Sequence, residues 1–218
     1  SFFRGDRYSR IYKFAKENRI KHILTGGNFS TEGCKEPEAW GAYPGIDSTL
    51  INDIYKKFGN KKLKSFPIID ILTYKIYYKY IYGIEVHKPL NLIPYVKNNA
   101  EELLESKFGW KKFQHKHHES RFTRFYEDFW LKNKFGFDRR KVHFSSLILS
   151  GQMTREEALL RIKKSELDSL TTNNEFEYIS DKLDFTVDEL YNIYNDSNKS
   201  YKYYKNKYNM INMGANIL

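Results

Sequence analysis

Cysteine is almost absent from this 218-residue chain, and so are long apolar runs. Its single cysteine, Cys34, excludes an internal disulfide framework and is typical of a reducing compartment, which predicts a cytoplasmic protein. No apolar run approaches the roughly 20 residues that a membrane-spanning helix needs, so no membrane span is expected. With 40% hydrophobic and 17% aromatic residues, the chain is too apolar for a disordered protein, and its composition predicts a globular fold.

The net charge of +10 would suit an anionic partner. Its basic residues, however, are mixed with tyrosine and asparagine in segments such as YKIYYKYIYG and SYKYYKNKYN instead of forming one stripe. This mixture favours a solvated surface over a nucleic-acid-binding face, although tyrosines between lysines could also stack on bases. Nucleic acid is therefore the less favoured partner.

A helix, a strand and a glycine loop follow one another near the start of the chain. The apolar residues from Ile20 to Leu24 predict a short buried strand, and this order of elements is typical of a parallel α/β sheet. Ligands in such sheets bind at the carboxyl ends of the strands, and glycines let the backbone approach phosphate or adenine. Candidate nucleotide-binding residues are therefore Thr25, Gly26, Gly27 and Asn28. A plain tight turn explains the same residues equally well.

Capping residues predict several helices further along. Asp47 or Ser48 begins a helix that ends at Gly59. A second helix is expected from Pro67 to Gly83. Its expected buried stripe consists of Ile68, Ile71, Leu72, Ile76 and Tyr80.

Later helices are marked by the same signals. Asn98 or Asn99 begins a helix that Gly109 ends, and the T-x-x-E patterns at Thr154 and Thr186 are capping boxes.

Polar residues are concentrated between Phe113 and Leu159, which holds four of the six histidines. Burying such groups without partners costs about 1 to 3 kcal/mol each. The stretch is therefore interpreted first as a functional site and only second as part of the structural scaffold. Zinc was weighed for the H-x-H-H-E cluster, but adjacent His117 and His118 diverge on a helix or a strand, and no second cluster supplies further ligands. Proton transfer or hydrogen bonding to a substrate is the favoured use, plain structural roles stay open, and no metal site is predicted.

A resemblance covers residues 1 to 165. The run HKHHESRFTRFYEDFWLKNKFGFDRRKVHFSSLILSGQMTREEAL, with TGGNFSTE ahead of it, resembles the C-terminal half of the N-acetyl sugar amidotransferases. These bacterial enzymes are associated with acetamidino sugars of lipopolysaccharide O-antigen and flagellin glycans.

The resemblance implies an α/β fold. Residues 1–165 would be the C-terminal half of a PP-loop (adenine nucleotide alpha hydrolase-like) parallel-sheet domain, and residues 166–218 a mostly helical tail. It implies an ATP pyrophosphatase reaction with Mg²⁺, in which a sugar N-acetyl group is adenylated and ammonia then displaces AMP to leave an acetamidino group. The implied partners are a nucleotide-linked N-acetyl sugar and a glutaminase subunit that supplies the ammonia. Homodimerisation through the aromatic helices is left open.

Site roles follow from the same resemblance. The candidate catalytic residues are His117, His118, Glu119, Arg121, Arg124 and His143. Candidate substrate-binding residues are Lys116, Ser145, Ser146 and Arg155. Glu32 would join Thr25, Gly26, Gly27 and Asn28 in holding ATP with its metal ion.

One element of the family pattern is missing. The S-G-G-x-D-S loop that holds pyrophosphate in PP-loop enzymes does not occur in these 218 residues, and TGGN lacks the Asp-Ser that should follow its glycines. The N-terminal cysteine cluster of the family is missing as well. We therefore expect the chain to be part of a longer protein. A non-catalytic subunit and a PP-loop protein that modifies transfer RNA or binds nucleic acid remain the alternatives.

Overall fold

The computed structural model describes residues 2–41, 43, 46–59, 66–111, 120–165, 167 and 169–217. The structure is 65% helical and contains a two-stranded parallel sheet. This is compatible with the predicted α/β class, in a form dominated by helices. None of the helices described in these ranges is long and apolar enough to cross a membrane.

The elements follow the capping signals closely. The strands are β1 (His22–Leu24) and β2 (Glu85–His87). The α-helices are α1 (Phe2–Glu17), α2 (Phe29–Glu32), α3 (Ser48–Phe58), α4 (Lys97–Phe108), α5 (Arg121–Arg124), α6 (Leu131–Phe135), α7 (Arg139–Leu149), α8 (Arg155–Lys163), α9 (Ser169–Leu183), α10 (Val187–Asn195) and α11 (Tyr208–Ile217). Two π-helical segments, Thr73–Ile81 and Phe125–Trp130, and three short 3-10 turns, Glu38–Trp40, Pro89–Asn91 and Tyr201–Tyr203, complete them.

The chain divides into two compact units. Unit 1 comprises Ser1–Gly26, Gly41–Pro89 and Lys199–Leu218, and unit 2 comprises Gly27–Trp40 and Leu90–Asn198. The division predicted at residue 165 concerns family domains and stays a prediction.

Unit 1 is built around one aromatic core. Tyr12 and Ala15 of α1 pack with Tyr78 of the first π-helical segment and with Ile69 and Ile84. The rings of Tyr12 and Tyr78 lie 5.1 Å apart, within the range at which aromatic pairs add to burial energy.

The sheet of unit 1 is shorter and more exposed than expected. Strand β1 pairs in parallel with β2, with His22 opposite Glu85 and Leu24 opposite His87. Ile23 alone in β1 packs against the core, whereas Leu24 is 71% exposed. The strand prediction is confirmed for His22–Leu24, but the prediction that it is buried is wrong.

The helix predicted from Pro67 begins later and turns more widely. Asp70 accepts a hydrogen bond from the Leu72 amide at 3.1 Å and so caps the first turn. At the other end, the Tyr82 amide donates to the Tyr77 carbonyl, five residues back, at 2.8 Å.

The wide turn overturns the predicted buried stripe. Leu72, Ile76 and Tyr80 are 50%, 47% and 60% exposed, because an i to i+5 repeat rotates residues chosen at α-helical spacing away from the core. Tyr74, Tyr77 and Tyr78 face the core in their place.

The C-terminal segment of unit 1 is held by aspartates from far earlier in the chain. The Lys207 amide donates to Asp47 at 2.5 Å, and the Lys205 amide donates to Asp53 at 2.9 Å. Lys207 Nζ donates to Asp70 at 2.6 Å. Charged hydrogen bonds of this kind are among the stronger ones in proteins, so they fix the segment to α3 and the turn before Thr73.

The pKa of Asp70 reports on this contact. Burial alone raises the pKa, but hydrogen bonds from Lys207, Ser48 and the Leu72 amide outweigh burial and hold it below its usual value. A carboxylate with a lowered pKa stabilises the fold above its unfolded-state pKa of about 3.9, and this stability is lost as the pH falls through the folded-state value.

We predict that Lys207→Met lowers the free energy of unfolding by about 1 to 2 kcal/mol at neutral pH, because Asp70 loses a charged donor. The difference from the wild type should shrink at a pH low enough to protonate Asp70 in both folded proteins, because a neutral carboxyl no longer forms an ion pair with the lysine. Urea unfolding at the two pH values measures it. Lys202→Met, at an exposed position of the same segment, is the matched control. A loss of equal size at both pH values would contradict this account.

Unit 2 contains two apolar clusters. In the first, Phe125 of the second π-helical segment packs with Phe176 and Ile179 of α9 and with Leu190 of α10. In the second, Phe144 and Leu147 of α7 pack with Met153 and Ala158.

Local signals set the ends of the unit 2 helices. Gly136 adopts a φ of 74° after α6, in the left-handed region that glycine tolerates. Thr186 and Glu189 form the predicted capping box of α10. Helix α4 begins at Lys97, so the prediction that Asn98 or Asn99 caps it is wrong, although Gly109 ends it as expected.

Candidate active site

Helix α7 is positioned by a buried carboxylate at its first turn. Asp138, 6% exposed, accepts a hydrogen bond from the Arg140 amide at 3.1 Å and caps the helix. The Arg140 guanidinium donates from Nε to Oδ1 at 2.9 Å and from Nη2 to Oδ2 at 2.6 Å. The planar fork of arginine matches a carboxylate in this two-point geometry.

The same arginine connects α7 to the end of α8. Arg140 donates to the carbonyl oxygens of Ile162 at 3.0 Å and Lys164 at 2.9 Å. Burial raises the pKa of Asp138, but the hydrogen bonds and the charge of Arg140 outweigh it and hold the pKa below its usual value. Asp138 is therefore ionised near neutral pH and keeps its ion pair with Arg140.

Three hydrogen bonds join α7 to the segment around α2. His143 Nδ1 lies 3.1 Å from the Thr31 carbonyl oxygen. The Cys34 amide donates to Ser146 Oγ at 3.0 Å, and Ser150 Oγ donates to the Ser30 carbonyl at 2.9 Å. These bonds hold the predicted site residues His143 and Ser146 against the segment of unit 2 that also contains Asn28 and Glu32.

The contact with Thr31 fixes the tautomer of His143. A carbonyl oxygen only accepts, so Nδ1 must carry the proton in this contact. His143 is partly buried, and the Thr31 backbone helps to set its orientation. An imidazole with its proton at Nδ1 accepts a further proton at Nε2.

The two predicted substrate-binding serines have partners within their own helix. Ser146 is 2% exposed, and its hydroxyl donates to the Val142 carbonyl at 3.2 Å while accepting from Cys34. Ser145 donates to the Lys141 carbonyl at 2.7 Å. Serines inside helices commonly make this bond to the carbonyl four residues back. Their assignment to substrate stays a prediction.

The predicted nucleotide loop follows β1 directly. The Thr25 amide donates to the His87 carbonyl at 2.9 Å and extends the pairing of the two strands. Asn28 is buried, and its side-chain oxygen accepts from the Thr31 amide at 2.9 Å and the Thr31 hydroxyl at 3.1 Å. Glu32 is exposed at the end of α2. The position after a parallel strand is as predicted, and the role in binding ATP stays a prediction.

Comparison with known families gives a match in the second half of the chain. Residues 119–217 match the family model described as LPS biosynthesis protein WbpG-like, C-terminal domain. The match covers 99 of the 218 residues and shows that this region is similar to that domain. Searches of curated proteins and of solved structures gave no match.

The region that matches this family model contains the two predicted catalytic arginines, and both bind a buried acid. Glu175 of α9 is 2% exposed. Arg121 Nε donates to both of its carboxylate oxygens, at 3.3 and 3.2 Å, and Arg124 Nη2 forms a further short contact with Oε1. The guanidinium of Arg121 also lies 3.7 Å from the centre of the Tyr178 ring. These contacts give the arginines a structural role between α5 and α9, whatever role they have in catalysis.

We predict that Arg124→Ala lowers the free energy of unfolding by about 2 to 4 kcal/mol, because a buried carboxylate loses a charged donor. Arg155→Ala is the matched control, because Arg155 is exposed at the start of α8 and its loss should cost no more than about 0.5 kcal/mol. Urea unfolding measures both.

A second variant tests the cause. Adding Glu175→Gln to Arg124→Ala should restore part of the lost stability, since the buried charge is then removed as well. If Arg124→Ala and Arg155→Ala changed stability equally little, the pair with Glu175 would have no stabilising role.

Four predicted site residues, Lys116, His117, His118 and Glu119, lie outside the described residues.

A group that was not predicted lies on the sheet of unit 1, where His22, Glu85 and His87 meet across β1 and β2. Because His22 lies 63 positions before Glu85 and 65 before His87, only the pairing of the strands could have revealed the group.

Proposed function

We propose that the protein is an ATP-dependent amidotransferase of LPS biosynthesis that converts the N-acetyl group of a sugar into an acetamidino group. The observation that carries the proposal is the match of residues 119–217 to the WbpG-like C-terminal domain. The resemblance of residues 1 to 165 to N-acetyl sugar amidotransferases names the reaction. We place the reaction in the cytoplasm.

An amide oxygen is a poor leaving group. ATP, with Mg²⁺, would supply the activation that lets it depart as part of AMP. The proposed substrates are a nucleotide-linked N-acetyl sugar and ammonia from a glutaminase partner.

The residues after β1 are suited to bind only part of an ATP molecule. Thr25–Glu32 contains no lysine or arginine to balance a triphosphate. Asn28 uses its side-chain oxygen to cap α2, which is only four residues long. Backbone groups of the loop could meet an adenine, but the described residues there do not fit the polyphosphate, and the S-G-G-x-D-S loop is not among these 218 residues. We therefore derive no step through ATP.

Proton transfer is the part of the proposed reaction that residues described in this chain could perform. Ammonia must lose a proton when its nitrogen becomes bonded to the carbonyl carbon of the N-acetyl group and the activated oxygen departs, and a base near neutral pKa suits that step. His143 holds its Nδ1 proton against the Thr31 carbonyl, so Nε2 is the atom that would take the proton. We propose His143 as this base, and Glu119 with the neighbouring histidines stays a candidate to steer the ammonia or accept its proton.

We predict that His143→Asn lowers sugar-dependent AMP release at least tenfold, or about 1.4 kcal/mol of transition-state stabilisation. Asparagine can keep the donation to the Thr31 carbonyl but has no group that titrates near neutral pH, so the melting temperature should change little. The assay uses the protein expressed from its complete gene, with ATP, ammonium and nucleotide-linked N-acetyl sugars. Mass spectrometry of the sugar identifies the product.

Lys141→Met, at an exposed position of the same helix, is the control for surface changes on α7. Unchanged activity in His143→Asn would remove this histidine from the reaction. An active wild type that releases AMP without forming an acetamidino sugar would contradict the proposed function itself.

One alternative is a non-catalytic subunit of a glycan-synthesis complex, which the absence of the S-G-G-x-D-S loop from these 218 residues would permit. Such a subunit would release no AMP with any sugar, and it would restore activity only when mixed with a partner that carries the loop.

A further inference from the structure

Two histidines and one glutamate converge on the exposed face of the unit 1 sheet. His22 Nδ1 lies 3.1 Å from His87 Nε2. Glu85 Oε2 lies 3.5 Å from each of these nitrogens. The three side chains are 67%, 45% and 63% exposed for His22, His87 and Glu85, so the triangle of ligand atoms is open to solvent.

The parallel pairing of the strands produces this arrangement. His22 stands opposite Glu85 in the register, and His87 follows Glu85 by two residues on the same face of β2. The other face is anchored, because Ile23 packs against the unit 1 core and Ile84, 2% exposed, lies just before β2. The Thr25 amide holds the backbone of His87 at 2.9 Å. Packing and hydrogen bonds therefore hold in place the backbone that carries the three ligand residues.

The spacing of the three atoms is that of ligands on one metal ion. Ligand atoms bound at about 2.0 to 2.1 Å in a tetrahedron lie roughly 3.4 Å apart. The observed separations of 3.1, 3.5 and 3.5 Å bracket that value. We propose that His22, Glu85 and His87 form a binding site for a divalent transition-metal ion, with Zn²⁺ as the best fit.

The ligand types decide which ion fits. Imidazole nitrogens suit Zn²⁺, Co²⁺, Ni²⁺ and Cu²⁺, whereas Mg²⁺ and Ca²⁺ prefer oxygen ligands. Three protein ligands leave the fourth tetrahedral position to the solvent side, which is how zinc sites that bind a water or a substrate group are arranged.

The site does not depend on the proposed function. Its ligands are different residues from those of the H-x-H-H-E cluster. Without an ion, the rings of His22 and His87 are hydrogen-bonded to each other, so one ring must adopt the other tautomer when both bind metal.

The test titrates the full chain, stripped of metal with a chelator, with Zn²⁺ in an isothermal calorimeter. We expect an equivalent of Zn²⁺ to bind at this site, with Mg²⁺ failing to compete. His22→Ala/His87→Ala should abolish that equivalent, and Glu85→Gln should weaken it at least tenfold. The visible absorption bands of bound Co²⁺ should show tetrahedral coordination in the wild type and disappear in the double variant.

The matched control replaces the other histidine cluster. His115→Asn/His117→Asn/His118→Asn should keep the equivalent bound by the sheet, which separates the two clusters. All three substituted ligands are exposed, so circular dichroism should show an unchanged fold in the double variant and in Glu85→Gln. Full Zn²⁺ binding by the folded double variant, or none by the wild type, would overturn the proposal and leave a hydrogen-bonded surface group only.

Discussion

A buried negative charge at the start of α7 controls the geometry of unit 2. Asp138 must be ionised and paired, because an isolated carboxylate at that depth would cost several kcal/mol. Arg140 pairs with it and, with the same guanidinium, binds the last carbonyls of α8. The first turn of α7 and the last turn of α8 are thus fixed by one ion pair. The direction of α7, and with it the positions of His143 and Ser146, depends on that pair.

The stretch that carries the family resemblance is, in physical terms, largely a set of folding signals. Gly136 supplies the left-handed turn after α6, Asp138 caps α7, and Thr154 caps α8 by accepting from the Glu157 amide. Lys134 donates to the Asp196 carbonyl at 2.6 Å, beyond the last turn of α10. Similarity over these residues therefore says little about chemistry, because the same residues are needed to build the scaffold.

Local signals made most helices predictable from the sequence. Asp47 and Gly59 mark the ends of α3, and Thr186 begins α10, because a cap needs only residues three or four positions apart. What failed depended on distant parts of the chain or on an unusual pitch. The partner of Arg121 and Arg124 lies 54 and 51 residues away, and no local pattern names it. The buried stripe predicted at α-helical spacing was wrong because Thr73–Ile81 has wider turns. For the candidate site, the sequence singled out His143 but could not show that the Thr31 carbonyl orients it.

Unit 1 is assembled from three separate segments of the chain, and this has a consequence for its synthesis. Its closing hydrogen bond, from Lys207 to Asp47, joins residues 160 positions apart. Lys207 has to leave the ribosome before that contact can form, whereas the long segment Leu90–Asn198 of unit 2 is synthesised before it. Contacts between distant residues also carry the largest loop-closure cost. During synthesis, the contacts within Leu90–Asn198 can therefore form before the hydrogen bonds of Lys205 and Lys207 complete unit 1.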